Sequence, residues 1–255
     1  IENPNLIHLH SRRISEYIGG LAAKVNKIPS ILTRRVDNKE NIFISKLKYR
    51  LYDHIVTISS AIKIILLEQG VEEKKLSCIK SAVDFNLFDI NVNKQKFRNL
   101  LKLSHDSFLI GMIAQFIDRK GHSFLIKNIK EFLLEYKNVH VIFYGQGPLL
   151  NEMKKLVNNL NLQNQIHFMG FVSDLHHHIG GLDLVVHPAE KEGMGVSLLQ
   201  SLSAGVPVIA NNVGGIPEII KNSRNGLLIP VGDGKALRNA LKELLSNKTL
   251  RKKLG

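Results

Sequence analysis

The sequence predicts an α/β fold of two doubly wound, Rossmann-like units on parallel sheets, the first of them incomplete. Three observations carry that expectation. Short apolar runs alternate with amphipathic helical patterns along the chain. The runs are apolar at successive positions instead of at every second one, as in strands covered by helices on both faces. Between residues 81 and 106 the text turns polar and irregular, and beyond it the alternation restarts. Residues 1–83 are therefore read as the remainder of a first domain, 84–106 as a linker and 107–255 as a second domain.

In the first domain a strand is expected over 6–9, then a helix over 14–27 with Ile18, Leu21, Ala22 and Val25 on one side. Pro29 forces an extended entry into a second strand at 30–33. After a polar loop come a helix over 44–53 and a strand over 54–58. Ser59 caps a further helix that runs to Gln69 and stops at Gly70, before a strand at 76–80. In the second domain, strands are expected at 108–115, 139–144, 165–169, 182–187, 206–210 and 226–229. Helices are expected over 123–136, 149–160 and 196–204, and from 235 onward. The chain opens on Ile1 and enters a strand directly, so a fragment or a processed chain is expected.

Against 22 acidic residues the chain carries 35 lysines and arginines, a formal charge of +13. That balance suits anionic partners. The lysine excess runs along the whole chain, however, and the aromatics are not interleaved with basic residues as on a base-stacking platform, so nucleic acid is not the expected partner. Basic residues around Arg34-Arg35 and over 46–50 are read two ways, as contact with an anionic lipid surface or as ordinary solvated surface. No run approaches the ~20 apolar residues that span a bilayer, and no signal segment opens the chain. Cys78 is the only cysteine. It excludes an internal disulfide, points to a reducing compartment, and lies in an apolar run where a buried, inert thiol is expected.

Ligands of parallel α/β sheets bind beyond the carboxyl ends of the strands. The loops Ser11-Arg12-Arg13, 117–121, 145–148, 170–174, 188–195 and 211–215 are thus the candidate sites. Most informative is the stretch 185–218, where a buried-looking strand leads through Glu190 and Glu192 to Gly193-Met194-Gly195, and a helix opens at Val196. First-turn amides and the positive end of the helix dipole favour a phosphate there. Lys120, with Arg119 beside it, and this helix start offer a cation and free amides that can neutralise a phosphate without a metal. The Asp-x-Asp pair used by metal-dependent sugar-nucleotide enzymes does not occur. Adjacent His176, His177 and His178 point in different directions on a helix, so a solvated surface is expected there and no metal site. Glu190 and Glu192, neighbours on one loop, do not straddle a substrate as a glycosidase pair must. A dinucleotide fingerprint starts at Gly145-Gln146-Gly147, but Leu150 stands at the third glycine and no acid ends the next strand, which disfavours a nicotinamide-dependent oxidoreductase.

Taken together, HLHS at 8–11, TISSAIK at 57–63, VDFNLF at 83–88, RKGH at 119–122 and GQGP at 145–148 form a pattern, continued by FMGFVSD at 168–174, EGMGVSLLQSLSAGVPVIA at 192–210 and GGIPE at 214–218. In this order they resemble the retaining, nucleotide-sugar-dependent glycosyltransferases of the GT-B fold, in the large family of sucrose synthase-like and mannosyltransferase-like enzymes. The resemblance implies two Rossmann-like domains facing a cleft, with the opening strands of the first missing. It also implies a UDP-, GDP- or ADP-sugar donor, no cofactor and no metal, and a saccharide or lipid-linked acceptor of a cell-envelope glycan such as lipopolysaccharide or capsule. The enzyme it describes is bacterial and cytoplasmic, with peripheral contact to the inner membrane.

Residue by residue, the resemblance implies that Lys120 contacts the donor diphosphate above the amides of Gly195 and Val196, in a loop that includes Gly193 and Met194. Glu192 would hydrogen-bond hydroxyls of the donor sugar, His10 would lie near the reacting carbon, and Phe171 and Val172 would meet the nucleobase. Gly145 and Gly147 belong to a neighbouring donor loop. Two positions depart from the family pattern. The second glutamate, eight residues after the first, is Gln200, and the arginine five residues before the lysine is Gln115, while Arg119 adjoins Lys120. Neutral hydrogen bonds contribute about 0.5–1.5 kcal/mol and charged ones about 1.5–3, so weaker donor affinity or a shifted nucleotide choice is expected. These departures keep a second expectation open: a degenerate GT-B module that holds a nucleotide and transfers nothing.

Overall fold

The structure, a computed structural model, describes residues 4–10, 14–88, 92 and 94–255. The chain forms two compact units, one of Ile1–Ser81 with Glu192–Met194, the other of Ala82–Lys191 with Gly195–Gly255.

In the first unit β1 (Ile7–Leu9), α1 (Ile14–Val25), β2 (Ser30–Arg34), α2 (Ile42–Tyr49), β3 (His54–Thr57), α3 (Ser60–Glu68) and β4 (Leu76–Cys78) alternate. Among the described residues its strands form a parallel sheet in the order β1-β2-β3-β4. Leu32, Ile55, Leu66 and Leu76 make its core, with Tyr49 and Tyr52. Ser59 caps α3 by accepting from the Ile62 amide at 3.2 Å. Helix α2 starts before residue 44 because Asn41 accepts from the amides of Phe43 and Ile44.

Arg34 and Lys48, expected against lipid or water, are in neither place. Lys48 is 0 % exposed, and its ammonium lies 2.8 Å from Glu16 Oε2 and 2.7 Å from Glu40 Oε2. Arg34 donates to Glu40 at 3.2 Å and to the Asn38 carbonyl at 2.9 Å. Two cations face two carboxylates, which is the condition for burying any of them. Cys78 is half-buried, not enclosed, at the end of β4, where its Sγ lies 4.0 Å from Ser60 Oγ.

The second unit contains α4 (Lys94–Leu100), β5 (Phe108–Ile113), α5 (His122–Glu135), β6 (Val139–Tyr144), α6 (Leu150–Asn159), β7 (Ile166–Gly170), α7 (His176–Ile179) and β8 (Leu184–His187). It continues through α8 (Val196–Ser203), β9 (Val208–Asn211), α9 (Ile216–Ile219), β10 (Leu227–Ile229), α10 (Gly234–Ser246) and α11 (Lys248–Leu254). All its strands are parallel, in the order β10-β9-β8-β5-β6-β7. The chain starts at the middle of the sheet, builds out to β7, then returns and builds out to β10. This is doubly wound topology, and the winding direction switches between β5 and β8, where a ligand crevice opens beyond the strand ends. Ile110, Met112, Val141, Phe143, Leu184 and Val186 bury one sheet face under α5 and α10.

Within the stretch read as linker lies α4, which the polar text concealed. Phe97 is buried, and the guanidinium of Arg98 reaches Asp183 Oδ2 at 2.5 Å while its Nε donates to the Ser107 carbonyl at 2.8 Å. Asp183 also accepts from the Leu109 amide at 2.9 Å, tying α4 to the start of β5. The helix expected from 235 onward is divided at Asn247, whose side chain accepts from the Leu250 amide and begins α11.

Candidate functional site

Five loops at the carboxyl ends of the second sheet are laced to one another. The Ala114 amide donates to the Tyr144 carbonyl at 3.0 Å, Gly145 to Gly170 at 2.7 Å, and Phe116 to Gln146 at 2.9 Å, joining the loops after β5, β6 and β7. The Glu190 amide donates to the Arg119 carbonyl at 2.9 Å, and Arg119 Nη1 to the Lys191 carbonyl at 3.1 Å, joining the β5 and β8 loops across the switch point. Asn211 Nδ2 donates to the Ala189 carbonyl at 3.0 Å and adds the loop after β9. Such close lacing needs glycine at 145: its φ is 137°, and a Cβ there would run into the Ala114 carbonyl.

Inside the β5, β6 and β7 loops lies a cavity of 330 Å³ lined by Ala114, Gln115, Tyr144, Gly145, Phe171 and Val172, among others. Four residues singled out from sequence, Gln115, Gly145, Phe171 and Val172, thus line one hollow. Phe171 is 70 % exposed at its wall, an aromatic face open to a planar ligand. Gly147 follows in the same β6 loop. Tyr144, which closes an apolar strand and reads in sequence as ordinary core, also lines the hollow. Burial raises its phenol above its usual range, so it stays neutral, and its Oη has no hydrogen-bond partner among the described residues.

Beside the switch point, Gly195 takes the left-handed conformation (φ 88°, ψ 55°) that turns the chain into α8, and no side chain caps that helix. The amides of Leu198 and Leu199 fold back to the Gly195 carbonyl, so the helix start is shaped by backbone alone. Gln200 is half-buried on α8, and Met194, just before Gly195, is buried. Lys120 ends a 3-10 turn, Asp118–Lys120, and is half-buried. Arg119 next to it spends its guanidinium on the Lys191 carbonyl, a brace between loops.

Two residues after Lys120, His122 opens α5, 3 % exposed, with its ring stacked 4.1 Å from that of Phe116. Neither ring nitrogen has a hydrogen-bond partner among the described residues. Burial first, then the positive potential of His187 and Lys120, pushes its pKa down to about 4, so the ring is neutral at pH 7. In sequence His122 stands within a motif with no role, His187 reads as the end of a strand, and Asn211 opens a candidate loop with no role of its own. The available signal was their place at strand ends or a helix start in the sheet's ligand-facing loops.

In the first unit, His10 lies one residue beyond β1 and is exposed. Its ring sits 3.9 Å from that of His8, which is also exposed and whose Nε2 is 2.8 Å from Thr33 Oγ1, so the two differ in hydrogen bonding and not in burial. The loop Ser11-Arg12-Arg13 lies outside the described residues. Glu192 and Gly193 cluster with this unit, where a Cβ on Gly193 would come within 3.0 Å of the Arg35 carbonyl. His176 and His178 are not simply solvated: they meet Phe88 and Phe97 edge-on at 6.4 and 5.5 Å. Among the described residues no group of three histidine, cysteine or acidic side chains is arranged to hold a metal, and no helix is long and apolar enough to cross a membrane.

Comparison with known proteins adds to this geometry. Residues 93–255 match the family described as glycosyl transferases group 1. The Escherichia coli UDP-Gal:alpha-D-GlcNAc-diphosphoundecaprenol alpha-1,3-galactosyltransferase is 26 % identical over 269 residues, covering 98 % of this chain and 68 % of that protein. The Staphylococcus aureus capsular polysaccharide biosynthesis glycosyltransferase CapM is 25 % identical over 209 residues, covering 79 % of this chain and 54 % of that protein. This chain thus spans about half to two thirds of the length of these relatives. Among solved structures, Anabaena HepE in complex with UDP and glucose superposes with a TM-score of 0.90 at 20 % identity, covering 98 % of this chain and 70 % of that one. Sucrose-phosphate synthase from Thermosynechococcus elongatus gives 0.83 at 19 %, covering 98 % and 66 %. At such identities the likeness establishes the fold, GT-B, as the sequence pattern implied.

Proposed function

The chain belongs to the glycosyl transferases group 1 family, and on that premise we propose that it moves a sugar, with retention of anomeric configuration, from a nucleotide donor to a cell-envelope glycan or lipid-linked saccharide. The observation that carries this reading is the uncapped start of α8 beside the β5–β8 switch point, with the Lys120 turn laced to the adjoining loop. As the glycosidic bond breaks, negative charge gathers on the departing diphosphate while the sugar ring becomes cationic. Lys120 and the amides of Gly195 and Val196 answer that charge, and being fixed in advance they cost no reorganisation at the moment of reaction. Glu192 holds hydroxyls of the donor sugar, and His10 serves near the reacting carbon. Phe171 and Val172 receive the base in the 330 Å³ hollow.

A UDP-sugar is the favoured donor, because UDP appears in the names of the Escherichia coli relative and the HepE complex. The diphosphoundecaprenol in that relative's name favours a lipid-linked acceptor, and with it work at the cytoplasmic side of a bacterial inner membrane. No metal takes part in the proposed step. The test is transfer from a panel of sugar nucleotides by the full-length protein. Removing one preorganised stabiliser of this kind costs about 10²–10³ in kcat, so Lys120→Ala is expected to fall by that factor, and Glu192→Ala to lose transfer, while both remain folded. Turnover like wild type in either variant would overturn the assignment. Nucleotide binding without any transfer would instead favour a degenerate module.

A further inference from the structure

A second cluster of cations lies in the first unit, at the end of its sheet opposite to His10. The carboxyl end of α2, which leads into β3, and the chain that leads from α3 into β4 enclose a cavity of 160 Å³. Lys46, Arg50 and Lys75 line it, with Gly70 and Val71 between them. Lys75 is held in place by donating to the Tyr52 carbonyl at 2.9 Å, and Lys24 brings a fourth cation to the same end by reaching the Arg50 carbonyl at 3.4 Å. The one carboxylate in the lining, Glu72, is engaged by Lys74 at 2.8 Å. Neither Lys46 nor Arg50 has an ion-pair partner among the described residues, in contrast to Arg34 and Lys48.

Alongside this charge runs apolar surface. Phe43 and Leu47, one turn apart on α2, are 82 % and 68 % exposed, and Lys46 and Arg50 form the neighbouring stripe of the same helix. No acidic residue occurs from Asn41 to Arg50. An apolar stripe flanked by cations is the pattern of a helix lying in a bilayer interface, its basic side chains at the headgroups.

We infer that this face of the first unit docks on an anionic bilayer, with a lipid phosphate seated in the cavity formed by Lys46, Arg50 and Lys75 and with Phe43 and Leu47 entering the interface. The inference deepens the peripheral location proposed above by assigning its surface. Vesicle binding is read without sugar transfer, so its failure leaves the transferase reading standing.

The test is cosedimentation of the full-length protein with phosphatidylcholine vesicles and with vesicles in which part of the lipid is phosphatidylglycerol. Binding is expected only to the anionic vesicles and is expected to weaken with salt. Removing two cations by Lys46→Ala with Arg50→Ala should lower partitioning on the order of 30-fold, and Phe43→Ser with Leu47→Ser should weaken it at unchanged charge. All four side chains are exposed, so the folded state is expected to survive, with circular dichroism as the check. Equal binding to both vesicle types, binding unaffected by either double substitution, or calorimetric binding of inorganic phosphate without vesicle binding would each overturn the inference.

Discussion

His122 should make the second unit sensitive to acid in a way that one substitution removes. Its folded pKa is about 4, against roughly 6.5 in an unfolded chain. The depressed value means that the unfolded state binds the proton first, so stability is unaffected above the unfolded value and falls as pH drops from 6.5 towards 4. Between pH 7 and pH 5 the loss from this one group is about 2 kcal/mol. Phenylalanine can occupy the same slot against Phe116 and carries no nitrogen to protonate or leave without a partner. His122→Phe should therefore be at least as stable as wild type at pH 7 and lose about 2 kcal/mol less on acidification. Urea unfolding followed by circular dichroism at the two pH values measures it. His140, also pushed down to about 4 by burial and by His167, contributes equally to both proteins and cancels. The same acid-induced loss in both proteins would refute the reasoning.

Three further substitutions address other parts of the account. Asp183→Ala strips the acceptor from Arg98, Lys94 and the Leu109 amide and leaves a buried guanidinium uncompensated, so a loss of about 3–5 kcal/mol in denaturant unfolding is expected; a loss under ~1 kcal/mol would contradict the role given to α4. Gly145→Ala puts a Cβ against the Ala114 carbonyl at a φ of 137°, a strain of about 1–3 kcal/mol, and UDP titration should show at least tenfold weaker binding as the hollow deforms. Gln200→Glu replaces a neutral acceptor with a charged one and should tighten UDP about fivefold by the same titration if this position faces the ribose.

Much of the fold was legible because it depends on neighbours in sequence. The strands of the second sheet read as apolar runs since both their faces are covered, and Ser59 announced α3 through a bond three residues long. What escaped depends on distant partners. Helix α4 looked like polar linker because Arg98 finds its carboxylate 85 residues away at Asp183. Arg34 and Lys48 looked like surface because the acids that permit their burial come from α1 and the loop before α2. At the candidate site, Gly145, Phe171 and Val172 fall in loops expected after strands, whereas Gln115 falls in an expected strand and is marked out only by the family resemblance. Tyr144 and His122 were not legible, since only the assembled sheet shows that one lines the hollow and the other is buried against Phe116 without a hydrogen bond.

The central claim is that α8 and Lys120 form a seat for a diphosphate. Calorimetric titration of the full-length protein with UDP and with uridine tests it most directly. Two charge-assisted contacts are worth about 3 kcal/mol or more, so UDP should bind at least ~100-fold more tightly than uridine. Lys120→Ala should weaken UDP by at least about tenfold and leave uridine unchanged. Equal affinities for UDP and uridine, or an unaltered UDP affinity in Lys120→Ala, would contradict the account.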